Sequence, residues 1–248
     1  MKFFFKNSIV ILAFVISFSP YSWSKSPESI IDEVEKLYQG NSSRVKITMK
    51  IVTEDYERSL SLQGITVGDD LANFRILSPK KDRGVATLMR FKEMWNFLPK
   101  IDRVIKVPPS MMMSSWMGSD FTNDDLVKQT HLSEEYDLTL SEKEDSYIIT
   151  LIPRVSTVTV WGKIQYHILK EPLMPTKQIF YDEKGVAIRQ LDFMDPKIFD
   201  GILLPSKLVM VPLNKEGHKT IIIYDSISFD PDDISEDMFT LRYLKRRF

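Results

Sequence analysis

Residues 45–51 read Val-Lys-Ile-Thr-Met-Lys-Ile, a strict alternation of apolar and polar side chains. Successive side chains of a β-strand point to opposite faces of the sheet. The alternation therefore predicts a strand with one face buried and the other in water. This stretch decides the fold class, because the same period of two recurs along most of the chain.

Eleven or twelve segments carry this strand pattern, with few helical segments between them. They cover residues 45–51, 60–62, 74–76, 85–91, 93–98, 103–107, 147–152, 158–169, 178–182, 186–194, 205–211 and 219–225. Asp182-Glu183-Lys184-Gly185 and Asn214-Lys215-Glu216-Gly217 are hairpin-turn stretches. So many strands rarely form a flat sheet, so the sequence predicts a mainly β (α+β) fold with one strongly curved, barrel-like antiparallel sheet.

One amphipathic helix is predicted over residues 27–39. Ser26 can accept hydrogen bonds from the free amides of the first turn, and Pro27 suits the first helical position. Apolar residues then recur at helical spacing until Gly40 ends the pattern. The apolar stripe of this helix must lie on another part of the fold.

The first 24 residues have the features of a signal peptide. Lys2 and Lys6 precede an apolar run over residues 8–18, and Ser22 and Ser24 place small residues where a signal peptidase reads them. An uncleaved N-terminal anchor is the alternative, although the run is short for a span of about 20 residues. Cleavage after Ser24 would leave residues 25–248 as a single domain, exported to the periplasm.

Charge and cysteine content restrict the function of this mature chain. Removal of Lys2 and Lys6 leaves 31 basic and 34 acidic residues, so no basic surface favours nucleic acid or an anionic membrane. The chain has no cysteine, which excludes both a disulfide framework and a lipid-anchored lipoprotein. The fold must be stabilised by its own hydrophobic core.

Motifs for catalysis or metal binding are not found. His131, His167 and His218 are far apart and have no cysteine partners or metal-ligand spacing, which predicts no metal site and no cofactor. The acidic pairs, such as Asp124-Asp125, fall where carboxylates favour turns and helix starts. There is no G-x-S-x-G sequence and no phosphate-binding glycine loop, so an enzyme is the least favoured class.

Large flexible and aromatic side chains instead mark one face of many predicted strands. They either fill an ordinary core or line an apolar cavity, and composition alone leaves both possibilities open. The candidate cavity residues are Met49, Leu60, Leu62, Phe74, Leu88, Trp95, Phe97, Ile164, Tyr166, Ile168, Ile179, Tyr181, Leu191, Phe193, Leu208 and Met210.

A methionine-rich segment interrupts the strands at residues 108–126, Pro-Pro-Ser-Met-Met-Met-Ser-Ser-Trp-Met-Gly-Ser-Asp-Phe-Thr-Asn-Asp-Asp-Leu. Gly118 permits a turn, and Thr122 with Asp125 can form a capping box for a helix beginning at Asn123. Methionine is unbranched and polarizable, so it repacks easily against different partners. A mobile lid over a cavity and an ordinary core loop are the two interpretations. The candidate lid residues are Met111, Met112, Met113, Trp116 and Met117.

This segment and its flanks resemble the LolA-like proteins described as "outer membrane lipoprotein-sorting proteins". The likeness covers about residues 28–248. It is carried by Trp95-Asn96-Phe97-Leu98-Pro99, Arg103-Val104-Ile105, Ser110 to Phe121, Asp124-Asp125-Leu126, Tyr181-Asp182 with Gly185, Phe239-Thr240 and Leu244. The chain departs from the pattern in being longer than a typical LolA carrier and in lacking the lipidated cysteine of LolB. The Met-Gly-Ser-Asp-Phe stretch belongs to a side branch and not to LolA itself.

The resemblance implies an incompletely closed β-barrel of about eleven antiparallel strands, with helices forming a lid over a cavity that holds acyl chains. It implies a periplasmic carrier of lipid or of lipoprotein acyl chains toward the outer membrane. Its expected partners are an inner-membrane transporter, such as an exporter of the resistance-nodulation type, or an outer-membrane acceptor. A sensor or adaptor that uses the same fold to bind a protein partner is the alternative.

Overall fold

The structure, a computed structural model, describes residues 25–38, 40–128 and 132–246. The predicted signal peptide over residues 1–24 and His131 lie outside the described residues. No helix within the described residues is long and apolar enough to cross a membrane.

The described chain forms thirteen strands. They are β1 (Ser42–Val52), β2 (Glu57–Val67), β3 (Leu71–Ser78), β4 (Ala86–Arg90), β5 (Glu93–Leu98), β6 (Arg103–Lys106), β7 (Tyr136–Glu142), β8 (Ser146–Pro153), β9 (Lys163–Leu169), β10 (Met174–Tyr181), β11 (Ala187–Phe199), β12 (Ile202–Pro212) and β13 (Lys219–Phe229). The helices are α1 (Pro27–Lys36), α2 (Asn123–Lys128), α3 (Leu132–Glu135) and α4 (Leu241–Leu244), with 3₁₀ turns at Pro109–Met111 and Glu236–Phe239.

All thirteen strands lie in one antiparallel sheet. Its order is β6-β5-β4-β3-β2-β1-β13-β12-β11-β10-β9-β8-β7, so β1 and β13 pair in the middle. The two edge strands, β6 and β7, come from adjoining parts of the chain but have no ladder between them, so the sheet is open. The predicted mainly β fold with a single antiparallel sheet is confirmed. The predicted count of about eleven strands is wrong.

Two segments account for the main differences between the predicted strands and those in the structure. The sequence pattern does not identify β7, because it follows an acidic stretch and, as an edge strand, carries several exposed polar residues. Residues 158–162 alternate like a strand but form a loop, in which Val158 is 85% exposed, so the strand begins only at Lys163. Alternation without a pairing partner does not make a strand.

The two predicted helix starts are confirmed. The backbone N–H of Ser29 donates to Ser26 Oγ at 3.2 Å, and α1 then ends at Lys36. At α2, the N–H of Thr122 donates to Asp125 Oδ2 at 2.7 Å, and the N–H of Asp125 donates to Thr122 Oγ1 at 3.2 Å. This reciprocal pair is the predicted capping box.

One face of the sheet encloses the main hydrophobic core. Ile76 of β3 and Ile149 of β8, from opposite halves of the strand order, belong to the same buried cluster as Ile30 and Ile31 of α1. Because residues from distant strands meet in one cluster, the sheet must curve around its inner face. Helix α3 adjoins α1 over this face, where Ser133 Oγ donates to Asp32 Oδ1 at 2.6 Å.

The C-terminal segment packs on the opposite, convex face of the sheet. Phe239 and Leu244 are buried there in one cluster with Leu88 and Phe97. Arg75 on β3 holds the end of α4 by donating from Nη2 to the carbonyl oxygen of Leu244 at 2.7 Å. Both faces of β3 to β5 are therefore covered.

Candidate functional site

A cavity of about 210 Å³ lies inside the curved sheet, beneath α1 and the start of α2. Most of its surface is apolar, as expected of a site for hydrocarbon. The lining residues come from four parts of the chain. They belong to α1 and the turn that follows it (Val34, Glu35, Tyr38), to β1 to β4 and the β2–β3 turn (Ser43, Val45, Ile47, Thr66, Gly68, Asp69, Leu71, Ala72, Phe74, Met89), to the segment before α2 and to α2 and α3 (Trp116, Phe121, Asp125, Leu126, Leu132), and to β9 to β13 (Tyr166, Gln178, Phe193, Leu208, Ile222, Tyr224).

Trp116 closes one side of this cavity in a fixed orientation. Its indole Nε1–H donates to Thr87 Oγ1 at 3.1 Å, and its ring meets Phe74 edge-on with centroids 5.5 Å apart. The indole is only 5% exposed. Trp116 thus connects the methionine-rich segment to the inner face of β3 and β4.

A second, smaller cavity of about 40 Å³ adjoins the first. Asp125, Leu132 and Gln178 line both cavities and therefore form the boundary between them. The remaining wall of the smaller cavity includes Tyr136 and Trp161. The interior is thus divided at the level of α2 and β10.

A buried ion pair fixes the start of α2 to the sheet at this boundary. Both nitrogens at the tip of Arg189 on β11 donate to the carboxylate of Asp125, and the Nη1–Oδ2 distance is 2.7 Å. The Arg189 side chain is 5% exposed and that of Asp125 is 11% exposed. The guanidinium also lies 4.2 Å from the ring centroid of Phe180 and 4.4 Å from that of Trp161.

Three tyrosines bring hydroxyl groups to the cavity wall. Tyr38 and Tyr224 lie with their ring centroids 5.6 Å apart, and the Tyr38 hydroxyl donates to the carbonyl oxygen of Pro205 at 3.2 Å. Burial raises the pKa of Tyr224 to about 12. Burial also raises the pKa values of Tyr38 and Tyr166 well above the usual range. All three phenols are therefore neutral near pH 7.

These shifts predict a loss of stability in alkali. A tyrosine whose folded pKa lies above its unfolded value of 10 gives stability that is fully present below pH 10. That stability is lost as the pH rises toward the folded pKa, by up to about 1.4 kcal/mol per pH unit for each such tyrosine. Urea unfolding at pH 9 and pH 11 should therefore show that the free energy of unfolding decreases less between these pH values for Tyr224→Phe than for the unchanged protein.

A matched control is available on the protein surface. Tyr56 is 53% exposed, and Tyr56→Phe should leave the pH dependence of unfolding as it is in the unchanged protein. If the free energy of unfolding decreases equally from pH 9 to pH 11 in Tyr224→Phe and Tyr56→Phe, burial of Tyr224 does not contribute to the loss of stability in alkali.

The residues proposed from sequence to line a cavity fall into distinct environments. Phe74, Tyr166, Phe193 and Leu208 line the larger cavity. Ile164, Leu191 and Met210 line the smaller one. Met49, Leu60, Leu62 and Ile168 are fully buried in the main core and line neither cavity.

The other five residues of that set lie away from the inner face. Leu88 and Phe97 are buried in the convex-face cluster, and Trp95 packs against it. Ile179 and Tyr181 point to the outer side of β10, since their neighbours Gln178 and Phe180 are the buried residues in the second half of that strand. In β10 the apolar residues alternate with other large side chains, so the sequence does not show which set faces inward.

The lid residues proposed from sequence also lie in different environments. Trp116 lines the cavity, and Met117 packs against the main core. Met112 packs in a small cluster with Ala72, Met89, Met94 and Val127. Met113 is half-buried and lines neither cavity, and Met111 is 52% exposed.

Sequence reasoning missed the polar groups of the interior. Gln178 and Arg189 occupy inward positions of β10 and β11, where the pattern predicts apolar side chains. The only signal was that Gln178 and Arg189 belong to predicted strands and must face one side or the other. Among the described residues, no group of three or more His, Cys, Asp or Glu side chains could hold a metal ion.

Comparison with known proteins places the fold. A family model described as "Uncharacterized protein" matches residues 68–246. No curated protein matches the sequence. A DUF1329 family protein from Desulfovibrio piger has a TM-score of 0.79 at 21% identity, covering 88% of this chain and 97% of that one.

Two further solved structures are similar over a comparable length. A domain named as an outer membrane lipoprotein-sorting protein, from Vibrio parahaemolyticus, has a TM-score of 0.76 at 21% identity, covering 88% of this chain and 98% of that one. A LolA superfamily protein from Nitrosomonas europaea has a TM-score of 0.73 at 18% identity, covering 89% and 100%. The resemblance predicted from the sequence is thus confirmed at the level of the fold.

Proposed function

The chain belongs to the family of uncharacterized proteins whose model matches residues 68–246, and from this membership and its LolA-like fold we propose that it is a periplasmic carrier of acyl chains. The carrier takes up lipid, or the acyl chains of a lipoprotein, and carries them toward the outer membrane. Its cargo is delivered by an inner-membrane transporter, such as a resistance-nodulation-type exporter. The signal-peptide features of residues 1–24 support the proposed location in the periplasm.

The apolar cavity inside the curved sheet is the observation that carries this proposal. Sheltering hydrocarbon from water is worth about 0.8 kcal/mol per methylene, or roughly 10 kcal/mol for a C16 chain. The cavity wall offers aliphatic and aromatic side chains for this purpose from α1, from both halves of the sheet and from the methionine-rich segment. No chemical step is required of a carrier, so the interior needs no catalytic group.

Uptake of a whole acyl chain requires the helices over the cavity to move. The volume of about 210 Å³ is below the roughly 300–1,000 Å³ of pockets that enclose drug-sized ligands. The start of α2 is held through Asp125, and α3 is held to α1 through Ser133 and Asp32. We therefore propose that α1, α2 and α3 form the lid, with Trp116 as its fixed inner edge.

Lipid extraction tests the proposal directly. The protein is purified from its native compartment under mild conditions, extracted with organic solvent, and the extract is analysed by mass spectrometry. We expect co-purified lipid in the extract and displacement of a bound neutral fluorescent dye, Nile red, by added acyl compounds. A stoichiometric protein partner without lipid and without dye binding would instead favour the adaptor function.

A further inference from the structure

A glycine lies in the interior of β2 at a position where a side chain would have no room. A Cβ atom on Gly64 would lie 2.5 Å from Cε1 and 2.7 Å from Cδ1 of Phe74, and 2.8 Å from Cγ2 of Val45. Carbon atoms that are not bonded to each other pack at about 3.5–4.0 Å, so any side chain here would displace the Phe74 ring. Glycine weakens the interior of a strand, and its presence there is typical of a position that another group approaches closely.

Two rows of inward-facing residues across the sheet show where the larger cavity ends. Gly64 pairs with Val45 on one side and with Phe74 on the other, and both of these partners line the cavity. In the next row, Leu62 pairs with Ile76, and both are buried in the main core instead. The cavity therefore meets the packed core at Phe74. Its other end reaches the exposed turn between β2 and β3.

Trp116 limits where the Phe74 ring can move. The two rings meet edge-on with their centroids 5.5 Å apart, and the Trp116 Nε1–H donates to the hydroxyl of Thr87, a residue that is only 1% exposed. Strand β2 thus lies behind the Phe74 ring at Gly64, the fixed indole lies beside it, and the cavity lies on a further side. A side chain at position 64 would therefore push the ring into the cavity.

We propose that Gly64, Phe74 and Trp116 form the closed end of the cavity and set the length of the acyl chain that the carrier accepts. The end of the hydrocarbon chain meets the Phe74 ring, and Gly64 is the positioning residue that lets this ring lie against the sheet. This inference rests on the proposed carrier function and names the residues that select its cargo by chain length.

Methyl esters of increasing chain length test this limit. The series from methyl hexanoate to methyl palmitate, which includes methyl laurate, is delivered from methyl-β-cyclodextrin, and each ester is titrated against protein loaded with Nile red. Affinity should rise by about fourfold for each methylene that enters the cavity and should stop rising once the chain reaches Phe74. The chain length at which the rise stops is the length limit.

Gly64→Ala should move the length limit to shorter chains. Displacement of the Phe74 ring by one or two methylene lengths should weaken the long esters by about 4- to 15-fold and leave the short esters unchanged. Each ester is compared between the variant and the unchanged protein, so that differences in delivery cancel. A loss by the same factor for every ester would show that Gly64 only stabilises the fold, and would overturn the inference.

Phe74→Leu should have the opposite effect, because a smaller side chain leaves more space at the closed end. Its length limit should lie at longer chains than that of the unchanged protein, and the double variant Gly64→Ala/Phe74→Leu should return toward the original limit. Gln63→Ala is the matched control, since Gln63 neighbours Gly64 on β2 but lines a separate cleft on the convex side with Tyr243. An equal shift of the limit in Gln63→Ala would contradict the role of Gly64.

The outcomes separate the length limit from the carrier function. If no ester displaces Nile red and no lipid co-purifies, the carrier function fails and the length limit fails with it. If the esters bind but all variants share the profile of the unchanged protein, only the length limit fails. Should Gly64→Ala not fold, Phe74→Leu alone decides, because an unchanged limit in that variant would overturn the inference.

Discussion

Asp125→Ala should lower the free energy of unfolding by about 3–5 kcal/mol, because it leaves the Arg189 guanidinium buried without its counterion. For a protein of this size, that change corresponds to a fall in melting temperature of roughly 6–20 °C. Arg189 Nε is buried and already has no hydrogen-bond partner in the described structure, so the rings of Phe180 and Trp161 would replace only part of the lost ion pair. Part of the loss comes from the capping box, in which Asp125 accepts from the N–H of Thr122.

The same change should loosen the lid. Asp125 is the contact through which the start of α2 is held to β11. Nile red should therefore exchange faster with Asp125→Ala than with the unchanged protein when both are measured by stopped-flow fluorescence below the melting temperature of the variant.

Two control variants make this prediction specific. Glu33→Ala removes an exposed pair with Lys25, in which both side chains are 48% exposed, and should cost at most about 1 kcal/mol. The double variant Asp125→Leu/Arg189→Met replaces both charges with apolar groups and should recover most of the stability. If it melts as low as Asp125→Ala, the unpaired guanidinium is not the cause of the loss.

Leu208→Trp should weaken acyl-chain binding by about tenfold or more with little change in melting temperature. Leu208 lies on β12, is 7% exposed and lines the cavity, so an indole at this position occupies space that ligand carbons would fill. Exclusion of about two methylenes is worth roughly 1.6 kcal/mol of lost binding. Titration of methyl laurate against Nile red measures the effect.

The same substitution elsewhere on β12 provides the control. Leu203 is 39% exposed and lines neither cavity, so Leu203→Trp should leave ligand affinity unchanged. A similar loss of affinity in both variants would place the ligand outside the cavity. A large fall in melting temperature for Leu208→Trp alone would show that the cavity cannot accept the indole, and its affinity would then not report on ligand space.

Local signals predicted the parts of the fold that local chemistry controls. The Ser26 cap and the Thr122–Asp125 capping box were predicted because each involves groups three residues apart in the sequence. The alternation at Val45, Ile47, Met49 and Ile51 correctly indicated the buried side of β1, since lysine and threonine occupy the other positions.

The candidate site was predicted only in part, because a residue's face depends on what packs against the sheet. Leu88 and Phe97 have the pattern of core residues, but their partners are Phe239 and Leu244, more than 140 positions away. The faces of Ile179 and Tyr181 in β10 could not be predicted for the same reason, because both alternating sets of side chains in that strand are bulky. No local pattern distinguishes the two sides in such strands.

The sequence by itself determined that this protein is an antiparallel β protein with few helices, and its methionine-rich segment carried the family resemblance. Both follow from interactions between residues that are near neighbours in the chain. Only the tertiary structure decided that the sheet stays open, that Trp116 lines the cavity while Met111 faces solvent, and that Arg189 meets Asp125 inside. These contacts depend on the curvature that brings distant strands together, and burial then makes a single ion pair decisive.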